Sequence, residues 1–172
     1  MGNLPLESAT LPLPTALRDD ATIVSLDEDA AVRVLREGDG IMVCMADPPG
    51  DDRFDARCYH REFITYIYRL RQLRALGVER SAIDLQIAEE MEAGTLHVTM
   101  APTAGYRMIG PLTSLTEDAT AWTDEMDRWQ SLHIPRAIAE NMGVITESEG
   151  NMPYVMASGE LWSHVMIVHD GE

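Results

Sequence analysis

The chain contains no lysine: all thirteen of its basic residues are arginine. Schiff-base chemistry, an amine nucleophile and a P-loop lysine are therefore excluded. Cysteine is nearly as scarce, with only Cys44 and Cys58, and neither a Cys-x-x-Cys pair nor a zinc-ribbon spacing occurs. Two cysteines do not make the dense disulfide framework of a small secreted domain. Gly-rich phosphate loops are missing, since Gly38-Asp39-Gly40 reads as a hairpin turn, and so is the Gly-x-Ser-x-Gly of an esterase elbow. No two histidines stand in a His-x-His, His-x-x-x-His or His-Glu-x-x-His spacing, the arrangements that place two metal ligands on one element. No apolar run reaches the roughly 18 residues of a membrane span. The N-terminus, where Pro5, Pro12 and Pro14 interrupt the leucines, has neither the basic nor the apolar region of a signal peptide. Leu6 stands where N-myristoylation wants Ser or Thr. A cytoplasmic location is the expectation.

What is present is acid. Twenty-nine acidic residues against thirteen basic ones give a net charge of −16, a field that repels phosphate backbones and anionic lipid. Neither nucleic acid nor a membrane surface is an expected partner, whereas a homodimer is compatible with the composition. The 45% hydrophobic content of the 172 residues suits an ordinary soluble domain with a sizeable core.

Residues 1–20 are Pro-rich and unpatterned and are read as an extended or disordered arm. Residues 21–172 are read as a single α+β ligand-binding or catalytic domain. Turn-forming clusters separate β segments at Ile23–Leu26, Ala31–Arg36, Ile41–Ala46 and Phe54–Tyr59. In the last of these Phe54, Ala56 and Cys58 alternate with Asp55, Arg57 and Tyr59, which makes Cys58 a small buried hydrophobe rather than a nucleophile. Phe63, Tyr66, Ile67, Leu70 and Leu73 then recur at helical spacing, and Gly77 ends that helix. Ser81 is placed to cap a second helix carrying Ile83, Ile87 and Met91 and ending at Gly94. This αα-hairpin has a DNA-binding cadence, but its second helix carries Asp84, Glu89, Glu90 and Glu92, the wrong charge for a major groove.

Further β segments are expected at Thr95–Met100, Ala104–Ile109, Met126–His133, Met152–Ala157 and Leu161–His169. A short helix is expected to begin within Thr116–Asp127, and another to run from Pro135 to Met142. The predicted fold class is α+β: a curved, mostly antiparallel sheet, a partly closed barrel around a cavity, with the αα-hairpin and a short later helix packed outside.

Candidate chemistry gathers on two strands. Trp129, Ser131 and His133 share one strand face, and Trp162, His164 and Met166 share another. Aromatic walls beside imidazoles suit a small apolar or aromatic ligand and a proton carrier near neutral pH. His60, with Tyr59 and Arg61, stands where a strand gives way to a helix. Seven arginines in residues 53–80 against Asp55, Glu62 and Glu79 make a local +4, leaving −20 for the rest of the chain. Arg57 and Arg61 are candidates to hold an oxyanion, while Arg69, Arg71, Arg74 and Arg80 are expected to pair with the acidic second helix. Tyr106 is a candidate hydrogen-bond donor; His97 and His169 are expected to do nothing.

The function expected is a cofactor-independent lyase, isomerase or cyclase acting on a hydrophobic or aromatic small molecule. His164, His133 and His60 would supply acid–base chemistry, and Arg61 would hold the oxyanion. Tyr59, Arg57, Tyr106, Trp129, Ser131, Trp162 and Met166 would bind substrate, with no metal or other cofactor. The alternatives are a non-catalytic binder of the same kind of ligand, and a metal-dependent lyase or dioxygenase using His60, His133 and His164.

Overall fold

The computed structural model describes residues 4–47 and 50–168. It is α+β, with eight strands in one mixed sheet and three helices. The strands are β1 (Thr22–Leu26), β2 (Val32–Arg36), β3 (Met42–Met45), β4 (Arg53–His60), β5 (Thr103–Pro111), β6 (Asp127–His133), β7 (Tyr154–Met156) and β8 (His164–Val168). Their order across the sheet is β2-β1-β3-β4-β5-β6-β8-β7. Only β1 and β3 run parallel, and the other neighbours are antiparallel. Among the described residues β2 and β7 do not pair with each other, so the sheet is open rather than a closed barrel. No helix of the described residues is long and apolar enough to cross a membrane.

The period of two along each strand sends alternate residues to opposite faces. One face is covered by α1 (Ile64–Ala75) and α2 (Arg80–Glu92). There Val24, Val43, Met45 and Tyr59 of the sheet meet Phe63, Tyr66, Ile67, Leu70 and Leu73, the apolar stripe legible in the sequence, with Ile83 and Ile87 behind. Gly77 ends α1 in the left-handed region at φ 76°, and Val78 N–H returns to Leu73 O at 2.9 Å. Ser81 lies inside α2 rather than capping it. Glu79 is the N-cap, and its side chain makes no capping hydrogen bond.

The opposite face is covered by the N-terminal segment. Expected as an extended or disordered arm, it folds into two 3-10 turns, Leu6–Thr10 and Thr15–Leu17, and buries Ala9, Leu11 and Leu13. Leu13 and Ala9 pack with Ile23, Met42, Cys44 and Cys58, and Leu11 packs with Phe54, Ala56 and Met108. Prolines preclude a regular helix here, but they do not stop leucines from finding an uncovered sheet face. The Arg18 guanidinium fixes the segment by donating to the Leu13 and Leu11 carbonyls at 2.9 and 3.0 Å. Cys44 and Cys58, directly opposed in the β3–β4 register with Cα atoms 4.0 Å apart, form a disulfide beneath it. Cys58 is buried as the alternation implies, but it is not a free thiol.

Three further expectations fail. Thr95–Met100 alternates like a strand yet pairs with none; Val98 instead packs into the helical core. The expected helix within Thr116–Asp127 does not form: residues 116–126 are a loop that an isolated Leu115–Trp122 bridge closes, and Asp127 begins β6. The third helix, α3, is a single turn over Ala139–Met142, because Pro135 and Arg136 form a turn in which Arg136 has φ 62°. By contrast β6 falls where Trp129, Ser131 and His133 alternate, and β8 lies inside the sheet between β6 and β7.

Candidate functional site

The helical hairpin covers only part of its face. Over β4, β5, β6 and β8 it leaves a cavity of about 170 Å³. Strand register explains what lines it. Arg57, Arg107 and Trp129 form one cross-strand row, Tyr59, Gly105, Ser131 and Met166 the next, and Thr103, His133, His164 and Met156 a third. Trp162, just before β8, completes the wall. Arg57, Tyr59, Trp129, Ser131, His133, Trp162, His164 and Met166 are thus brought together as the sequence suggests.

Of the other candidates, Tyr106 reaches the cavity only at its edge, and His60 and Arg61 do not reach it. His60 follows Tyr59 by one residue and so belongs to the arm side of β4; its Nδ1 accepts the Glu62 N–H at 3.3 Å. The arrangement of His60, His133 and His164 as common metal ligands therefore does not form, and the described residues hold no cluster of three or more His, Cys, Asp or Glu able to take a metal ion. Arg61 is exposed and donates to Gly38 O at 3.2 Å. Tyr106 borders the cavity from β5, but its side chain packs with the Leu13 and Cys58 cluster on the other face. His97 is exposed, and His169 lies outside the described residues. Two lining residues were missed, Met156 and Arg107. Arg107 shares the parity of Gly105, the clue available in Gly105-Tyr106-Arg107.

The cationic end is organised by Asp55. Arg57 donates through Nε and Nη2 at 2.9 and 2.6 Å, and Arg107 does the same at 2.9 and 2.8 Å. Burial alone would raise the Asp55 carboxyl, but the hydrogen bonds and charges of the two arginines outweigh it and hold it well below the usual carboxylate range. The Arg107 guanidinium also lies 5.0 Å from the Trp129 ring centroid. Two cations share one anion, so this end stays positive. Burial pushes the Tyr59 hydroxyl up against the opposing influence of Arg57, Arg71 and Arg107, so it remains a phenol.

The imidazole end is buried. His133 is 1% exposed, with ring centroids of Phe63, Trp162 and His164 at 4.6, 4.8 and 5.0 Å. Burial, with a smaller push from His164, lowers its pKa to about 3, so His133 is neutral through the working range. Nε2 lies 3.1 Å from Ser131 Oγ, while Nδ1 is buried and has no partner among the described residues. Thr103 Oγ1, on the residue paired with His133 across β5, is also buried and unpartnered. Gly105 is what admits the Ser131–His133 pair: a Cβ there would lie 2.7 Å from both His133 Nε2 and Ser131 Oγ.

His164 differs in one decisive respect. Its Nδ1 lies 2.6 Å from the Trp162 carbonyl oxygen. A carbonyl only accepts, so Nδ1 carries the proton and neutral His164 presents a bare Nε2. That atom has no partner among the described residues. Burial lowers the His164 pKa, partly opposed by the Trp162 bond, which keeps the ring in its accepting form at neutral pH. The cavity therefore joins a positive end, aromatic walls and one oriented proton acceptor.

Comparison of the chain with protein-family models, curated proteins and solved structures finds no match.

Proposed function

We propose that this cavity takes a small aromatic or unsaturated anion and that the protein is a cofactor-independent lyase, isomerase or cyclase in which His164 moves the proton. The observation that carries the reading is the 2.6 Å contact of His164 Nδ1 with the Trp162 carbonyl, which leaves Nε2 as an oriented proton acceptor in a cavity whose other end offers two guanidiniums. The arginines would hold a carboxylate or a developing enolate or phenolate. Nε2 of His164 would take a proton from the adjacent carbon, becoming imidazolium, and return it at another position or to a leaving group. His133, neutral throughout, would position Ser131 and pack against His164 rather than carry the proton. The cavity lies below the roughly 300–1,000 Å³ of drug-sized sites, so the occupant would be small. A curved sheet wrapped partly around this cavity belongs to the same reading. The Cys44–Cys58 bond is the form an oxidising compartment maintains, which weighs against the cytoplasmic setting.

A non-catalytic binder is the second reading. It is favoured by the lowered pKa of both histidines, since a more acidic imidazolium belongs to a weaker base. One experiment separates the two. Benzoates, cinnamates and aryl 2-oxo acids would be screened by quenching of Trp129 and Trp162 fluorescence, and bound 2-oxo acids followed by NMR in D2O. An enzyme of the proposed kind exchanges the ligand's acidic C–H for deuterium. His164→Asn abolishes that exchange at a stability cost below about 1.5 kcal/mol, the range of a modest polar swap, and His97→Asn changes neither. Binding without exchange or turnover in the unaltered protein would leave only the binder, and failure of every aromatic anion to bind would sink both.

A further inference from the structure

A second cavity lies on the far side of Arg57. It measures about 460 Å³ and sits between the β1–β2 turn and the C-terminal half of α1. Asp55 and Arg57 form part of its wall and separate it from the first cavity, while Arg71 and Arg74 enter it from α1. The expectation that the α1 arginines pair with α2 holds for Arg69, whose fork is taken by Glu90 with Nε at 2.7 Å from Oε2. Arg71, two residues on, makes no ion pair or hydrogen bond among the described residues although it is only partly exposed. Burial and the charges of Arg57 and Arg74 all act against its protonated form.

The charge inventory is unbalanced. Arg57, Arg71 and Arg107 surround Tyr59, and the one carboxylate among them is Asp55, already shared by two forks. Each guanidinium has five N–H donors. Arg57 directs two donor nitrogens at Asp55 and also interacts with the Tyr59 hydroxyl, which leaves part of its fork free, and Arg71 directs none at an acceptor among the described residues. Around Tyr59 the three guanidiniums exceed Asp55 by two charges, while the wall of the second cavity sets Arg57, Arg71 and Arg74 against Asp55 at its base and Asp27 and Glu28 at its lip. Asp27 and Glu28 stand on the exposed opposite lip and form no ion pair with these arginines.

We propose that this second cavity is a phosphate site, in which Arg71 and the unused donors of Arg57 hold a dianion, with Arg74 at the mouth. Two guanidiniums approaching from different elements, a strand and a helix, suit the divergent oxygens of a tetrahedral group, and two negative charges offset the excess around Tyr59. The site shares Arg57 with the first cavity but does not depend on any proton transfer there.

The test is a titration of the full chain with inorganic phosphate above neutral pH, followed by calorimetry at constant ionic strength set with chloride. One saturable site is expected. Arg71→Met weakens it on the order of tenfold, the loss of one charge-assisted contact, with an unchanged thermal melt. His164→Asn leaves it as it was, which separates this site from the chemistry of the first. Glu28→Gln tightens it slightly by removing a repulsive charge from the lip. Should Arg71→Met not fold, Arg71→Gln serves the same comparison. Absence of saturable binding in the millimolar range, or binding that survives loss of the Arg71 charge, overturns the site. Malonate binding as tightly as phosphate overturns the preference for a tetrahedral group.

Discussion

Along β4, Phe54, Ala56 and Cys58 point to the N-terminal segment and are wholly buried, while Asp55, Arg57 and Tyr59 point the other way. Successive residues of one strand thus serve two unlike surfaces. The arm face is filled by apolar side chains and crossed by a disulfide. The helix face keeps two arginines on one carboxylate, a histidine with an unpartnered nitrogen and a cavity. Unpaired buried polar atoms oppose folding, whereas apolar packing and a cross-link favour it. The comparison teaches that both faces carry apolar packing, the helix face through α1 and α2, and that only the part of the helix face left uncovered by the hairpin holds groups that folding alone would not select.

The largest effect should come from the closed face. Replacing both cysteines, Cys44→Ala with Cys58→Ala, frees a loop with a sequence separation of 14 residues. Constraint of a loop of that size is worth about 3 kcal/mol. Urea unfolding of the double variant should show that loss, with a similar loss in the unaltered protein under strong reductant. A change below about 1 kcal/mol would mean that the arm, not the cross-link, holds this face together.

The same alternation governs how much was legible from sequence. Apolar and polar residues alternate along β4, whereas β6 has no such alternation and β8 is apolar on both faces; there the two-residue spacing of Trp129, Ser131 and His133, and of Trp162, His164 and Met166, grouped the side chains by parity. His60 falls outside the site because parity along β4, not nearness to Tyr59 in sequence, decides which face a side chain takes. Arg107 needed the β4–β5 register, which is a long-range fact. The disulfide had a local signal: a hairpin turning near Asp51 sets Cys44 opposite Cys58. The N-terminal segment and Thr95–Met100 were illegible for a common reason. Their apolar residues are buried by surfaces supplied elsewhere, so local pattern misstates the outcome in opposite directions.

An intermediate effect should appear on acidification, and it should belong to the helix face. His133 titrates near its ordinary 6.5 when unfolded but at about 3 when folded. Above pH 6.5 both states leave it neutral and stability is complete. Between 6.5 and about 3 the unfolded chain binds a proton that the native state refuses, so stability falls as pH falls. One proton costs about 1.4 kcal/mol per pH unit, so roughly 2 kcal/mol should go between pH 7 and pH 5. His164, lowered in the same direction, adds to the loss in that window. Asp55 acts later: its depressed pKa contributes stability that is present above the unfolded value of about 3.9 and lost only below it. Urea melts at pH 7 and pH 5 give the measurement. Equal stability at the two values would show that His133 is hydrated.

The smallest effect is the most discriminating. His133→Leu puts a side chain of similar bulk into a site walled by Phe63 and Trp162. It gives up ring stacking worth about 0.5–1.5 kcal/mol and the Ser131 contact, but it also removes the buried Nδ1 that has no partner, a defect costing about 1–3 kcal/mol. Ser131 is itself only partly buried and borders the cavity, so its hydroxyl is not stranded. These terms oppose one another, and the variant should fall within about 1 kcal/mol of the unaltered protein at pH 7. It should also flatten the dependence between pH 7 and pH 5, leaving the part due to His164. A loss of 3 kcal/mol or more would place His133 with the arm-face residues as core packing. Near-neutral stability with a flattened pH response would instead mark an imidazole that the fold tolerates and does not require.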